Sequence, residues 1–222
     1  MARTKTSTAA KPAEPRQAGG EARPERRAGT DRRAAILKIA CSLFAKKGFE
    51  ATSIREIGDA AGILSGSLYH HFNTKEDMLH EIIKDYVHDL LAFYEEAARS
   101  ATDPRQALEK MIRFGISESL QQREVHAIVV NDRKYLASQE TFRYIEDAWQ
   151  DLFRTWYGVL QEGVRVKLFR EDLNLHIMLR IIIDSINSTV MWFRPDGRYS
   201  VDEVIDVQVE LLFRGITAAP RG

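Results

Sequence analysis

The sequence predicts an all-α chain. From Asp31 onward apolar side chains recur at i, i+3 or i+4 and i+7 nearly everywhere, and helix-capping residues stand at intervals that open new helices. No stretch alternates apolar and polar residues with the period of two that a half-buried strand requires. Ile36, Leu37, Ala40, Leu43 and Phe44 form the stripe of a first helix, which Gly48 ends. In "TSIREIGDAAG", Ser53 and Glu56 have the spacing of a capping box; Ile54, Ile57 and Ala61 face inward before Gly62 stops the helix. A third, short helix is expected over 65–71, then Thr74 and Asp77 cap a fourth. That helix is long: Met78, Leu79, Ile82, Ile83, Tyr86, Leu90, Leu91 and Tyr94 carry it to about Ala98. Asp103-Pro104 places an N-cap before a proline at the first helical position and opens a helix to about Gln122. Further helices are expected at about 124–137, 139–165 and 173–193, and at 201–217 behind the capping pair Ser200 and Glu203.

Composition restricts the function classes. With 222 residues, 44% hydrophobic and 29% charged, the chain can bury a sizeable core and reads as a soluble globule. Its most apolar stretch, "LHIMLRIIIDSINSTVMWF", carries His176, Arg180 and Asp184, so it is expected to be a buried helix rather than a membrane span. The N-terminal stretch lacks the apolar segment of a secretory signal, and the single Cys41 falls on an apolar helix face. A cytoplasmic location is therefore expected. Net charge is zero, yet residues 1–33 hold nine Lys and Arg against four Asp and Glu, so they carry +5 and the remainder −5. A Pro, Ala, Gly and Arg-rich segment with few apolar side chains cannot offset its ordering entropy, so residues 1–30 are expected to be a disordered basic arm. It serves either as a solubilising leader or as an arm laid against a polyanion. The expected division is then 31–76 for a small unit of three short helices and 77–218 for a larger helical unit, with the fourth helix belonging to both.

The most informative stretch is "GILSGSLYHHF", residues 62–72. Metal coordination is one chemistry that paired histidines suggest, but His70 and His71 diverge on a helix, and His80-Glu81 is followed four residues after His80 by Lys84 instead of a second imidazole. No metal and no cofactor are expected. The chain has no phosphate loop, dinucleotide fingerprint or nucleophile elbow, so an enzyme is a minor alternative. The remaining chemistry is a helix-turn-helix, with Gly62 in the turn and Ile57, Ala61, Ile63 and Leu68 locking its two helices. Small residues at Ser65, Gly66 and Ser67 would let first-turn N–H groups approach a phosphate. Tyr69 and His70 would offer a phenol and an imidazole to phosphates or base edges, Phe72 would face inward, and Lys75 would add a charged phosphate contact.

The block "ILKIACSLFAKKGFEATSIREIGDAAGILSGSLYHHFNTKEDML" resembles the TetR family of bacterial transcription regulators. It matches the family's Phe-x-x-x-Gly-Phe and Gly-x-x-x-Gly-x-Leu-Tyr-x-His-Phe-x-x-Lys-Glu spacing, with Gly58 in place of the usual Ala and a bulky Leu64 before Ser65. The resemblance implies a TetR-like fold: an N-terminal three-helix unit that binds palindromic operator DNA, and a larger C-terminal unit for ligand binding and dimerisation. The candidate DNA contacts are Thr52, Ser53, Arg55, Leu64, Ser65, Gly66, Ser67, Tyr69, His70 and Lys75. Family homodimers pair their last two long helices, here through Leu175, Leu179, Ile182, Ile186 and Val190 with Val201, Val204, Ile205, Leu212 and Ile216; the same stripes would also serve as internal core.

"LASQETFRYIED" and "WFRPDG" resemble segments of the actinobacterial repressors of sterol-ring catabolism, a subgroup that responds to acyl-CoA thioesters. That subgroup is basic and aromatic where this chain has Ile183 and Asn187, which implies a different acyl group. Trp149, Phe153, Trp156, Tyr157 and Met191 supply apolar lining, although aromatic residues at helical spacing also build cores. With Asn131, Tyr135, Arg180, Ile183, Asp184 and Asn187 they make the candidate effector site. The expected function is a ligand-responsive repressor; a constitutive DNA-binding protein without an effector is the alternative.

Overall fold

The computed structural model describes residues 24–217, with side chains from Asp31 onward. Ten α-helices follow one another: α1 (Pro24–Lys47), α2 (Ile54–Ala61), α3 (Ser65–Leu68), α4 (Lys75–Ser100), α5 (Pro104–Gln121), α6 (Arg123–Asn131), α7 (Arg133–Ser138), α8 (Arg143–Arg165), α9 (Leu175–Trp192) and α10 (Val201–Ile216). A single 3-10 turn, Glu140–Phe142, precedes α8, and the one β-bridge among the described residues joins Phe169 to Thr217. The fold is all-α, as the periodicity predicted.

The capping signals act as written. Ser53, Thr74 and Ser200 each accept from the backbone N–H three residues on, and Glu56, Asp77 and Glu203 return the bond to the cap residue's backbone. Asp103 accepts from Gln106 ahead of Pro104. The boundaries differ in three places. Helix α1 begins at Pro24 rather than at Asp31, because a proline suits the first helical turn and Glu25, Arg26, Arg27 and Ala28 after it are good helix formers. That removes residues 24–30 from the expected disordered arm; the rest of the arm lies outside the described residues. The expected helix 124–137 is broken at Asp132, whose carboxylate accepts a hydrogen bond from Phe49 N at 3.2 Å instead of facing solvent. The third helix is cut to Ser65–Leu68 and continues as a turn to His71, with 3-10 type bonds from His70 N to Ser67 O and from His71 N to Leu68 O.

Two apolar clusters hold the chain together. One joins Ile36, Phe44, Phe49, Ile57, Leu68 and Phe72 of the first three helices to Met78, Leu79 and Ile83 of α4, and onward to Ile128, Leu136, Phe142 and Ile145. The small N-terminal unit therefore shares its core with α6, α7 and α8. The second cluster is built around Trp156, Met111, Ile112, Ile116, Ile182 and Leu160, with Tyr94 from the far half of α4. Leu90 and Trp149 touch both clusters. Cys41 is buried in the first, and burial pushes its thiol up to about 11.

Helices α9 and α10 correct an expectation. Leu179, Ile182, Ile186 and Val190, with Val204, Ile205 and Ile216, are buried inside the chain's own core, so those stripes are internal. The helices also carry a second apolar face: Ile177 is 59% exposed, Met191 81%, Val207 64% and Leu211 68%, beside Ile181 and Trp192.

Candidate nucleic-acid interface and ligand cavity

Helices α2 and α3 form the expected helix-turn-helix. Gly62 closes α2 in the left-handed region at φ 65°, and its N–H bonds back to Asp59 O. Gly58 has a local reason: a Cβ there would lie 3.0 Å from the Ile63 carbonyl and 3.4 Å from Ser65 N, so glycine lets α3 pack closely on α2. Gly66 has none among the described residues, since a Cβ there would meet none of their atoms within 4 Å. Its open side faces outward beside Leu64, 81% exposed, Tyr69, 56% exposed, and exposed His70. The first amides of a helix have no intrahelical acceptor, and at Ser65 and Gly66 no bulky side chain of their own screens them. Phe72 is buried as expected.

Several of the sequence-derived contacts have inward roles. Thr52 is buried, and its hydroxyl donates to Gly48 O at 2.8 Å. The Ser53 hydroxyl belongs to the α2 capping box, where Glu56 is also held by Lys47; these contacts bring the Glu56 carboxyl down to about 2. Arg55 is exposed and paired loosely with Asp59 at 3.8 Å. Lys75 sends its ammonium back into the protein, donating to Phe49 O and Thr52 O, both at 2.8 Å, and lying 4.3 Å from the centre of the Phe49 ring. It is a clasp between α4 and the α1–α2 loop, and a free phosphate-binding charge is not its main role. Arg33 pairs with Glu81 and lies 4.3 Å from the Phe72 ring centre, which ties α1 to α4; one Arg among several on α1 gives no sequence signal of this.

Between α6, α8 and α9 lies a cleft of about 190 Å³ lined by Val130, Arg133, Trp149, Phe153, Arg180, Ile183, Asp184 and Asn187. Six of the sequence-derived ligand residues, Trp149, Phe153, Arg180, Ile183, Asp184 and Asn187, are thus brought together. At its rim Arg180 is held by Asp184 at 3.1 Å, while Arg133 lies 5.1 Å from the Trp149 ring centre and 3.7 Å from Glu146. The cleft shares Val130, Trp149, Ile183 and Asn187 with the lining of a neighbouring crevice of about 30 Å³, whose walls also include Tyr86, Leu90 and Tyr94 of α4, Gly115, His126 and Leu152. Gly115 is required there, because a Cβ would sit 2.6 Å from the Tyr94 hydroxyl.

Five sequence-derived ligand residues are elsewhere. Trp156 is fully buried, edge-on to the Tyr94 ring at 5.1 Å, because the inward stripe of α8 runs through it. Tyr157 stacks on His176 at 4.5 Å. Tyr135 lies against Phe49 at 5.0 Å and donates to Glu76, so it joins α7 to α4 near the helix-turn-helix. Asn131 is exposed at the end of α6, and Met191 is on the outward face of α9. Conversely, Arg133, Tyr86, Tyr94 and His126 line the cavity without having been singled out; His126 stands alone in the apolar run "VHAIVV", a signal that a polar group was being buried on purpose. A larger open cleft of about 580 Å³ runs between the end of α4, the start of α5 and α8. Of its charged residues, Arg99 pairs with Glu96, Arg154 with Asp151 and Glu162 with Arg165.

Residues 36–82 match the family described as bacterial regulatory proteins, tetR family, and residues 101–216, more than half of the chain, match the tetracyclin repressor-like C-terminal domain. The chain belongs to the TetR family. Like other TetR-family proteins it is a transcriptional regulator and not an enzyme. It is 36% identical to the HTH-type transcriptional repressor KstR2 of Rhodococcus jostii, over 84% of this chain and 92% of that one. The structure of the ketosteroid transcriptional regulator KstR2 of Mycobacterium tuberculosis superposes with a TM-score of 0.80 at 34% identity, covering 85% of this chain and 96% of that one. A more distant TetR-family relative, the transcriptional activator FasR of Mycolicibacterium smegmatis, is 24% identical over 96% of both chains. Among the described residues of this TetR-family chain, no helix is long and apolar enough to cross a membrane.

Proposed function

We propose that this regulator is a one-component repressor that binds palindromic operator DNA as a homodimer and leaves it when a small molecule, an acyl-CoA thioester, enters the α6–α8–α9 cleft. The observation that carries the reading is that one helix serves both ends. The first residue of α4, Lys75, clasps the α1–α2 loop, while Tyr86, Leu90 and Tyr94 of the same helix wall the crevice. A crevice of about 30 Å³ holds roughly one water molecule, so a larger guest must part α4 from α8 and α9. Two half-sites one DNA turn apart, about 34 Å, require a fixed separation of the two α3 segments, and a shift of α4 in each protomer alters it. The ligand need only bind the displaced state better than the closed one.

Three features support the partners. Leu64, Gly66, Tyr69 and His70 make an outward face without an intramolecular purpose. Ile177, Ile181 and Met191 of α9 with Val207 and Leu211 of α10 give an apolar surface suited to a second copy, a face different from the stripes the sequence suggested. Arg133 and Arg180 at the cleft rim suit a polyanionic head group, and the aromatic interior suits an acyl chain. Such a switch acts in the cytoplasm. A gel shift on the DNA upstream of the chain's own gene tests the reading. Retardation that octanoyl-CoA reverses supports it; retardation insensitive to CoA thioesters points to another effector or to constitutive binding.

A further inference from the structure

His126 lies in the wall of the crevice with its ring 93% buried from solvent, its exposure being 7%. Its Nδ1 is 2.8 Å from the Tyr86 hydroxyl, while its Nε2 is buried with no partner. The hydrogen positions follow from a count of satisfied groups. If the phenol donates to Nδ1, the Tyr86 proton is satisfied and the imidazole proton is on Nε2, leaving one group unpaired. The opposite tautomer leaves both the phenolic proton and the Nε2 lone pair unpaired, and each buried orphan costs free energy. Burial also drives the imidazole down to about 4, so the ring is neutral and its single N–H is on Nε2, the nitrogen without a partner.

We infer that His126, fixed by Tyr86, selects effectors whose apolar part ends in an uncharged hydrogen-bond acceptor, a ketone or hydroxyl oxygen, over plain hydrocarbon chains. The inference rests on the effector reading of the cleft and deepens it. An oxygen at the inner end of the guest would take the Nε2 proton and displace whatever water sits there, whereas a methyl group would strand a donor in an apolar wall of Leu90, Val129, Leu152 and Ile186. A carboxylate does not fit, because nothing lining the crevice carries a positive charge to offset its desolvation.

The test compares octanoyl-CoA with the thioester of the same chain bearing a ketone beside its terminal methyl, each titrated against operator-bound wild type and His126→Phe. Wild type should release DNA at about tenfold lower concentration of the ketone thioester, the effect of one buried hydrogen bond, and in His126→Phe the ratio of the two release concentrations should fall to about one. Equal response of wild type to both, or a preference that survives in His126→Phe, overturns the inference and leaves the acyl-CoA reading standing. If neither thioester releases DNA, the acyl-CoA reading fails. The inference is then decided separately by the His126 Nε2–H resonance of ¹⁵N-histidine-labelled wild type. A shift with cyclohexanone that methylcyclohexane does not produce supports it, and no difference between them overturns it. This last measurement needs no variant, so a misfolded His126→Phe leaves the inference decidable.

Discussion

The ammonium of Lys75 lies 2.8 Å from the carbonyl oxygen of Phe49 and 4.3 Å from the centre of the same residue's ring. A side chain that from sequence alone reads as a phosphate contact is thereby engaged by the loop that precedes the helix-turn-helix. Replacing it with methionine should lower stability by about 1–3 kcal/mol, the cost of losing its hydrogen bonds to the Phe49 and Thr52 carbonyls and a cation–π contact. Thermal melting checks the stability, and the operator titration checks the role. The slope of log affinity against log salt should stay within error of wild type, whereas loss of a true phosphate contact would reduce it by about 1.

Gly66 makes the opposite case. Because a Cβ there meets no atom of the described residues within 4 Å, Gly66→Leu should leave the melting temperature essentially unchanged. Operator affinity should fall at least about tenfold, since the added bulk stands where the DNA backbone must come close. Tyr69→Ala should behave alike, losing about 1–2 kcal/mol of DNA binding at unchanged stability because the ring is more than half exposed.

Asp132 joins the regions the switch must connect. Its carboxylate accepts from Phe49 N, beside the Lys75 clasp, and it sits where α6 gives way to α7 and Arg133 of the cleft rim. Asp132→Ala should therefore leave thioester affinity, measured by calorimetry without DNA, near wild type, but reduce the drop in operator affinity that the thioester causes. An unaltered drop would show that the signal travels by α4 alone.

Stability should depend on pH through His126. Its folded value of about 4 lies below the ordinary value of about 6.5, so between these limits the unfolded chain binds a proton that the folded chain does not. Stability is then full above about 6.5 and declines as pH falls toward about 4, by roughly 1.4 kcal/mol per unit and about 3 kcal/mol over the window. Urea melts at a series of pH values should show this decline in wild type and a shallower one in His126→Gln.

The exposed apolar face of α9 and α10 should govern assembly. Val207→Glu with Leu211→Glu should shift the sedimentation of the protein from dimer to monomer while leaving helicity intact, because both side chains are about two thirds exposed within one chain.

Much of this molecule was legible in the sequence where local chemistry decides the outcome. The capping pairs Ser53–Glu56, Thr74–Asp77 and Ser200–Glu203 fixed their helix starts because both partners lie within one turn. The turn at Gly62 was equally readable from its need for a left-handed backbone. What escaped depends on residues far apart in the chain. Lys75 turns inward to the Phe49 and Thr52 carbonyls, more than twenty residues earlier, and the break at Asp132 reflects Phe49 N across 83 positions. Trp149, Ile183 and Asn187, singled out from the aromatic stretches and the resemblance, line one cavity, but that reading could not separate Trp156 from them, since core and cavity lining share the apolar stripe of α8. The α9 and α10 stripes show the same limit: two apolar faces on one helix leave open which one is internal.

Fluorescence anisotropy of a labelled duplex from upstream of the gene, titrated with the protein and then with a CoA thioester, addresses the switch most directly. Saturation at two protomers per duplex, with no comparable binding by Gly66→Leu and release on adding thioester, is the expected result. Equal binding by Gly66→Leu would mean that the α2–α3 face does not read the DNA, and would contradict the account at its base.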